Sequence, residues 1–222
     1  MRLLRVLIIS GLLAVTGTYA LCGLVVLMLR QFDPPTTTVQ MQRRIEAMRE
    51  HRPYQKRYDF VPLKRISLNL QHAAVAADDG RFRQHHGFDW VEMQKVLEDD
   101  MQHHRFGRGG STITQQLVKN LFLTTERSVL RKAAEFALVP MAEGLLTKDR
   151  ILELYLNVIE WGPGVYGAEA AAEYYYHLHA SELSREQSAR LAAILPAPLK
   201  RKPARMNEYS EVILDRMTRT GW

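Results

Sequence analysis

The chain has a single cysteine, Cys22, so no intrachain disulfide can form, and no His-x-x-x-His or cysteine pair supplies the spacing of a structural zinc site. The doublets His85–His86 and His103–His104 do not substitute for one, because neighbouring residues diverge by about 100° on a helix. Internal repeats and low-complexity tracts are missing as well. The length of 222 residues leaves room for one membrane anchor and one globular domain, with 46% hydrophobic residues to build a core, but for no second catalytic domain. Charge is absent from Val6 to Leu29. As a helix that run extends roughly 36 Å, enough to cross a hydrocarbon core of about 30 Å with some tilt, and it reads as a transmembrane helix. A cleavable signal peptide is the competing reading. Against it, the run outlasts an apolar region of about 7–15 residues, and the small-x-small candidate Thr18-Tyr19-Ala20 lies inside the span. Leu21, immediately before Cys22, argues against lipid attachment there.

Charge counting does not orient the span, since Arg2 and Arg5 on one side face Arg30, Arg43, Arg44 and Arg49 on the other. The formal charge of +6 is unevenly placed: Arg43 to Arg65 holds eight Lys or Arg against Glu46, Glu50 and Asp59. This basic collar next to the membrane suits anionic head groups or a phosphate-bearing lipid; a solvated charged face is the plainer alternative. Nucleic acid is an odd partner for a chain with a membrane span.

Residues 31–66 begin with the Pro/Thr-rich "QFDPPTTTVQ" and read as a linker and basic membrane-proximal segment between an anchor at 1–30 and a domain at 67–222. Periodicity predicts helices near 39–50, 67–79, 89–103, 111–122, 128–146 with a kink at Pro140, 148–159, 165–177, 184–195 and 207–219. Asp89 with Glu92, and Ser184 with Gln187, resemble capping boxes, and Pro196 follows the run ending at Leu195. The domain should be almost all α.

Three stretches carry candidate chemistry. "AAVAADDGRFRQHHGFDW" ends a small, apolar helix on two acids, Asp78 and Asp79, beside Gly80, which can supply a left-handed helix stop. The helix dipole and mutual repulsion should push both acids to higher pKa. In "RGGSTITQQLVKNLFL", Thr112, Gln115, Gln116 and Lys119 share one stripe and Ile113, Leu117, Val118 and Leu121 occupy the other side. The polar stripe lacks acids and follows Gly109-Gly110-Ser111, so a helix start able to take an anion or a sugar competes with an ordinary wet face. In "RKAAEFALVPMAEGLL", Arg131 and Glu135 lie one turn apart, and spacing alone does not separate a surface salt bridge from a functional pair.

Together these stretches resemble the peptidoglycan glycosyltransferases, glycosyltransferase family 51, and specifically the monofunctional biosynthetic transglycosylases, from about Pro34 to Leu199. "DDGRFRQHHGFD" is similar to the family's acidic first motif, "GGSTITQQLVKN" to its second, "RKAAE" to its third, and "ILELYLN" with "GVYGAEAAAEYYY" to its fourth and fifth. Asp78 and Glu135, 57 residues apart, match its two catalytic acids. One departure stands out: the first acid is normally Glu in a Glu-Asp pair, and here the pair is Asp-Asp.

The resemblance implies a mostly α, lysozyme-like helical domain with a small membrane-facing lobe and an N-terminal transmembrane helix. It places the anchor in the cytoplasmic (inner) membrane and the domain on the periplasmic face. The implied substrate is lipid II, polymerised into β-1,4-linked glycan with release of undecaprenyl pyrophosphate. Other cell-wall synthases or division proteins are further implied partners. Neither a Ser-x-x-Lys nor a Lys-Thr-Gly signature is present for transpeptidation. By resemblance Asp78 is the base, Lys119 and Arg131 offset pyrophosphate charge together with a possible divalent cation (Mg or Mn), and Glu135 organises the cations or holds that metal. Ser111, Thr112, Gln115 and Gln116 bind sugar and phosphate oxygens, and Phe82, His85 and Asn120 match the pattern; Asp79 is read as a supporting residue, either holding the loop through Arg81 or Arg83 or serving as a structural cap. Two rival readings remain at this point: a lysozyme-like glycan-cleaving enzyme, and a catalytically weak membrane-anchored scaffold for cell-wall synthesis.

Overall fold

A computed structural model describes residues 2–103 and 110–222, which form ten α-helices and one small sheet. The first helix, α1 (Arg2–Met28), is apolar along its length and almost wholly exposed, with only Val26 buried. It is the one described helix long and apolar enough to cross a membrane.

The domain is built around α7 (Lys148–Val158). Ile151, Leu152, Leu154, Tyr155, Leu156, Asn157 and Val158 are all buried, so the helix is enclosed on nearly every side, and a helix enclosed that way belongs at the centre of a core. Thr147 caps its first turn by accepting the N–H of Arg150. The polar exception, Asn157, is satisfied by Val61: its Oδ1 accepts the Val61 N–H and its Nδ2 donates to the Val61 carbonyl, both at 2.9 Å. A buried amide so paired avoids a desolvation cost of about 1–3 kcal/mol.

Residues 31–66 are packed into this body. They carry α2 (Thr38–Arg49), which lies on α5 (Ile113–Phe122), and β1 (Arg57–Tyr58), while Val61 and Ile66 are core residues. The collar is likewise partly consumed: Arg43 bonds Glu46 and Glu160, and Arg57 lies over the Tyr174 ring.

The sheet was not foreseen. β1 runs parallel to β3 (Val165–Tyr166), which runs antiparallel to β2 (Glu160–Gly162). Helix α8 (Ala168–Tyr176) therefore starts three residues later than periodicity predicts, after Gly167 at φ 87°. There a Cβ would meet the Asn157 carbonyl, so only glycine fits the corner.

The alanine run of α3 (Leu68–Asp78) has a packing explanation. Ala73 and Ala76 meet Ala189, Ala192 and Ala193 at the end of α9 (Arg185–Ala192), and Ile213 and Met217 of α10 (Asn207–Arg219). Small side chains let the three helices approach closely and hold the end of α3, with Asp78, in a fixed place. The Ser184–Gln187 capping box at α9 is complete. At α4 (Trp90–His103), Asp89 Oδ1 accepts the Glu92 N–H at 3.0 Å, and no return bond from Glu92 forms among the described residues.

Helix α6 (Val129–Leu145) continues through Pro140. Its outer side receives the last turns of α1: Tyr19 donates to the Ala137 carbonyl, Gly23 faces Met141, and Cys22 packs on the Val118, Leu138, Val139 and Ala142 cluster. Val26 and Leu29 then enter the main core. From Tyr19 onward, α1 and the domain are one packed unit.

Candidate active site

Three helices, α3, α5 and α6, carry Asp78, Lys119, Arg131 and Glu135, and α7 adds Tyr155. Asp78 is the last residue of α3, which ends because Asp79 leaves helical geometry at φ −159° and ψ 70°. Gly80 has no positive φ, so the expected left-handed stop does not form. The two acids then diverge completely.

Asp79 is buried and turned inward. Its Oδ2 accepts the N–H of Ile113, the first residue of α5, at 3.0 Å, and its Oδ1 bonds His85 Nε2 at 2.8 Å. His85 Nδ1 accepts the Gly87 N–H at 3.1 Å, so the proton sits on Nε2 and the imidazole is a neutral donor to Asp79. Both ring nitrogens are thereby used. The expected partners lie elsewhere: Arg81 pairs with Asp89 and Arg83 with Asp149.

The start of α5 corrects a second expectation. Its N-cap is Thr112, whose Oγ1 accepts from Gln115 N at 3.2 Å, while Gln115 Oε1 accepts from Thr112 N at 2.9 Å. Thr112 Oγ1 also donates to the Gly87 carbonyl at 2.7 Å. Both residues are buried. The stripe is therefore not a wet face at this end, and the anion at the helix start is the Asp79 carboxylate. Gly109 and the His103–His104 pair concern side chains or residues outside those described.

Further along α5, Gln116 and Lys119 are partly exposed, and Asn120 is buried, donating to the Gln116 carbonyl at 2.8 Å. Gln116 Nε2 donates to Asp78 Oδ2 at 3.2 Å. The same oxygen accepts a 2.5 Å bond from the hydroxyl of Tyr155, a fully buried residue of α7. Phe82 is wholly buried in the core beneath Lys148.

Glu135 on α6 is 2% exposed. Arg131 Nη1 donates to its Oε2 at 2.7 Å and Lys132 Nζ to its Oε1, and Lys132 reaches on to Ser111 Oγ at 3.3 Å. Sequence reading passed over Lys132, although its i,i+3 spacing from Glu135 was the available signal. Tyr155 was passed over too, despite lying in "ILELYLN", where a phenol among aliphatic residues needs a buried acceptor. Arg131 Nε is buried with no partner among the described residues.

The electrostatics link the two acids. Burial pushes the Asp78 carboxyl up, opposed by the Tyr155 and Gln116 hydrogen bonds and by Lys119. Burial pushes the Lys119 ammonium down, opposed chiefly by Glu135, and its charged surroundings also include Arg131, Asp78 and Lys132. One carboxylate with a suppressed tendency to ionise thus faces Lys119, which is in turn grouped with Arg131 and Lys132 around Glu135. Such an arrangement can take a proton at one end and receive a polyanion at the other. Glu135 is already neutralised by two cations, so the donors here do not form the oxygen cage a divalent metal requires. A cavity of about 430 Å³ between α8 and α9, lined by Tyr175, Tyr176, Glu186, Arg190 and Lys202, holds none of these residues.

Comparison with known proteins follows the same residues. The transglycosylase family model matches 43–218. A biosynthetic peptidoglycan transglycosylase of Dechloromonas aromatica is 49% identical over 165 residues, 74% of this chain and 71% of that protein. One from Herminiimonas arsenicoxydans is 44% identical over 188 residues, covering 82% and 81%, and one from Neisseria meningitidis serogroup C is 43% identical over 192, covering 85% and 82%. A match that spans every helix from α3 to α9, together with the paired acids and their cations, makes this chain a member of the transglycosylase family.

Proposed function

We propose that the chain is a peptidoglycan glycosyltransferase that polymerises lipid II into β-1,4-linked glycan, without transpeptidation. The observation that carries this reading is the separation of roles between Asp78, partly exposed and inclined to hold a proton, and the Lys119–Arg131–Lys132 cluster around Glu135. Inversion of an α-linked pyrophosphate donor needs in-line attack. The acceptor 4-hydroxyl forms the new bond to the anomeric carbon, its proton passes to Asp78, and the bond to the pyrophosphate oxygen breaks. Lys119 and Arg131 take the charge that grows on the departing pyrophosphate. Glu135 holds Arg131 and Lys132 in place. Ser111, within reach of Lys132, and Gln116 are the remaining polar groups at the rim. A divalent cation would enter with the pyrophosphate rather than be held by Glu135.

The raised Asp78 pKa equally suits a general acid of glycan cleavage. Three cations serve no purpose in that chemistry, and one assay separates the two: full-length protein in detergent is given lipid II, and separately preformed glycan. Polymer made from lipid II and lost in Asp78→Asn supports the proposal, whereas cleavage of preformed glycan without polymerisation overturns it.

For location we propose a single-pass protein with its domain on the periplasmic face. The support is the apolar α1 for the single pass and the kinship with peptidoglycan transglycosylases for the face. Protease added to spheroplasts should digest the domain. Full protection in intact spheroplasts would reverse the orientation.

A further inference from the structure

The two oxygens of Asp78 are not equivalent. Oδ2 accepts from Tyr155 at 2.5 Å and from Gln116 at 3.2 Å, while Oδ1 accepts no hydrogen bond among the described residues. We propose that Tyr155 is a positioning residue for the base, pinning Oδ2 so that Oδ1 alone is presented to the acceptor hydroxyl. The proposal rests on the reading of Asp78 as that base.

Tyr155 is suited to the task by its place in the fold. It lies at the centre of α7 between Leu154 and Leu156, all three fully buried, so its ring cannot swing. A phenol at that depth must donate to something, and the distances choose the acceptor: Gln116 Oε1 is 3.4 Å away, Asp78 Oδ2 only 2.5 Å. The chosen bond is the shorter of the two. A carboxylate without it would turn about its last torsion and exchange its oxygens. Such freedom matters here because the aspartate side chain is one methylene shorter than a glutamate, and a misplacement of about 1 Å can cost around 100-fold in rate.

The bond also sets when the base is ionised. Groups facing Asp78 are Asp79 in its own segment, Lys119 and Gln116 from α5 and Tyr155 from α7, while Arg216 of α10 bonds the Ala76 carbonyl nearby and α9 contributes alanines. Burial and Asp79 favour the protonated carboxyl, and Tyr155, Gln116 and Lys119 oppose them. Removing the phenol proton shifts that balance toward protonation.

The test measures lipid II polymerisation across pH for the full-length protein in detergent. Tyr155→Phe keeps the ring volume and should fold. Its kcat should fall about 10- to 100-fold, with KM changed less than about twofold because the hydroxyl does not touch substrate, and the acid limb of kcat/KM should move to higher pH. Replacing Tyr155 with 3,5-difluorotyrosine, a stronger donor of the same shape, should move that limb to lower pH; this second variant decides the matter if Tyr155→Phe does not fold. An acid limb that stays put in the folded variants, with Asp78→Asn inactive, overturns the positioning role and spares the base. Wild-type polymerisation by Asp78→Asn overturns the base reading itself.

Discussion

Asp79 caps the helix that carries Lys119: its Oδ2 accepts the N–H of Ile113 at 3.0 Å while its Oδ1 holds His85 at 2.8 Å. The second acid of the pair is thus a buried brace between the end of α3 and the start of α5. Asp79→Ala leaves the Ile113 N–H and the His85 ring unpaired. It should lower stability by about 2–4 kcal/mol, the sum of a lost cap and a stranded buried donor, seen as a drop in Tm larger than that of Asp78→Ala. An unchanged Tm would show that the brace carries no weight.

Asp78→Asn should do the reverse. Its folded pKa is raised above the ordinary 3.8, so the protonated form favours folding; that contribution is complete below 3.8 and is lost as pH rises through the folded value. The amide does not ionise and can still accept from Tyr155. At neutral pH the variant should therefore melt higher than wild type, by roughly 2–4 °C for each kcal/mol recovered, with the difference vanishing below pH 3.8. Thermal melts at several pH values check it.

Lys119 is held below its ordinary pKa of 10.5, chiefly by burial, so its charge should be lost at a lower pH than that of a surface lysine. On the reading proposed above, activity falls as that proton leaves. Lys119→Arg should abolish this alkaline limb, because a guanidinium does not titrate there. Lys119→Met should lose about 10²–10³-fold in turnover without a loss of Tm. An alkaline limb that persists unchanged in Lys119→Arg assigns it to another group.

Gly167→Ala should destabilise the fold by at least about 1–3 kcal/mol, since the residue sits at φ 87° with the Asn157 carbonyl where a Cβ would go. The Asn157 link to Val61 depends on the same corner. Denaturant unfolding gives the measurement. A difference below about 0.5 kcal/mol would mean that α8 can shift to admit the methyl group.

Most helices were legible in the sequence because each repeats its apolar residues at helical spacing and several open on Ser or Thr caps. The sheet was not, since strands of two or three residues show no alternation to read. At the site, Asp78, Lys119, Arg131 and Glu135 could be named from their motifs, but which polar residues were spent internally could not. Thr112 and Gln115 lie on the same side of α5 as Lys119, and only the approach of Gly87 and Asp79 to its first turn turns that end into interior. Periodicity describes one helix; the loop that covers it comes from elsewhere in the chain.

The contact between α1 and α6 determines how the protein would search for its substrate. From Tyr19 to Leu29, about 15 Å of helix, the anchor is built into the domain. In the membrane location proposed above, a leash would let the catalytic residues wander through a hemisphere of solvent, whereas a rigid shaft would fix their altitude above the bilayer and leave them only rotation and drift within its plane. A lipid-borne donor at that altitude would then be met by lateral diffusion, in two dimensions rather than three.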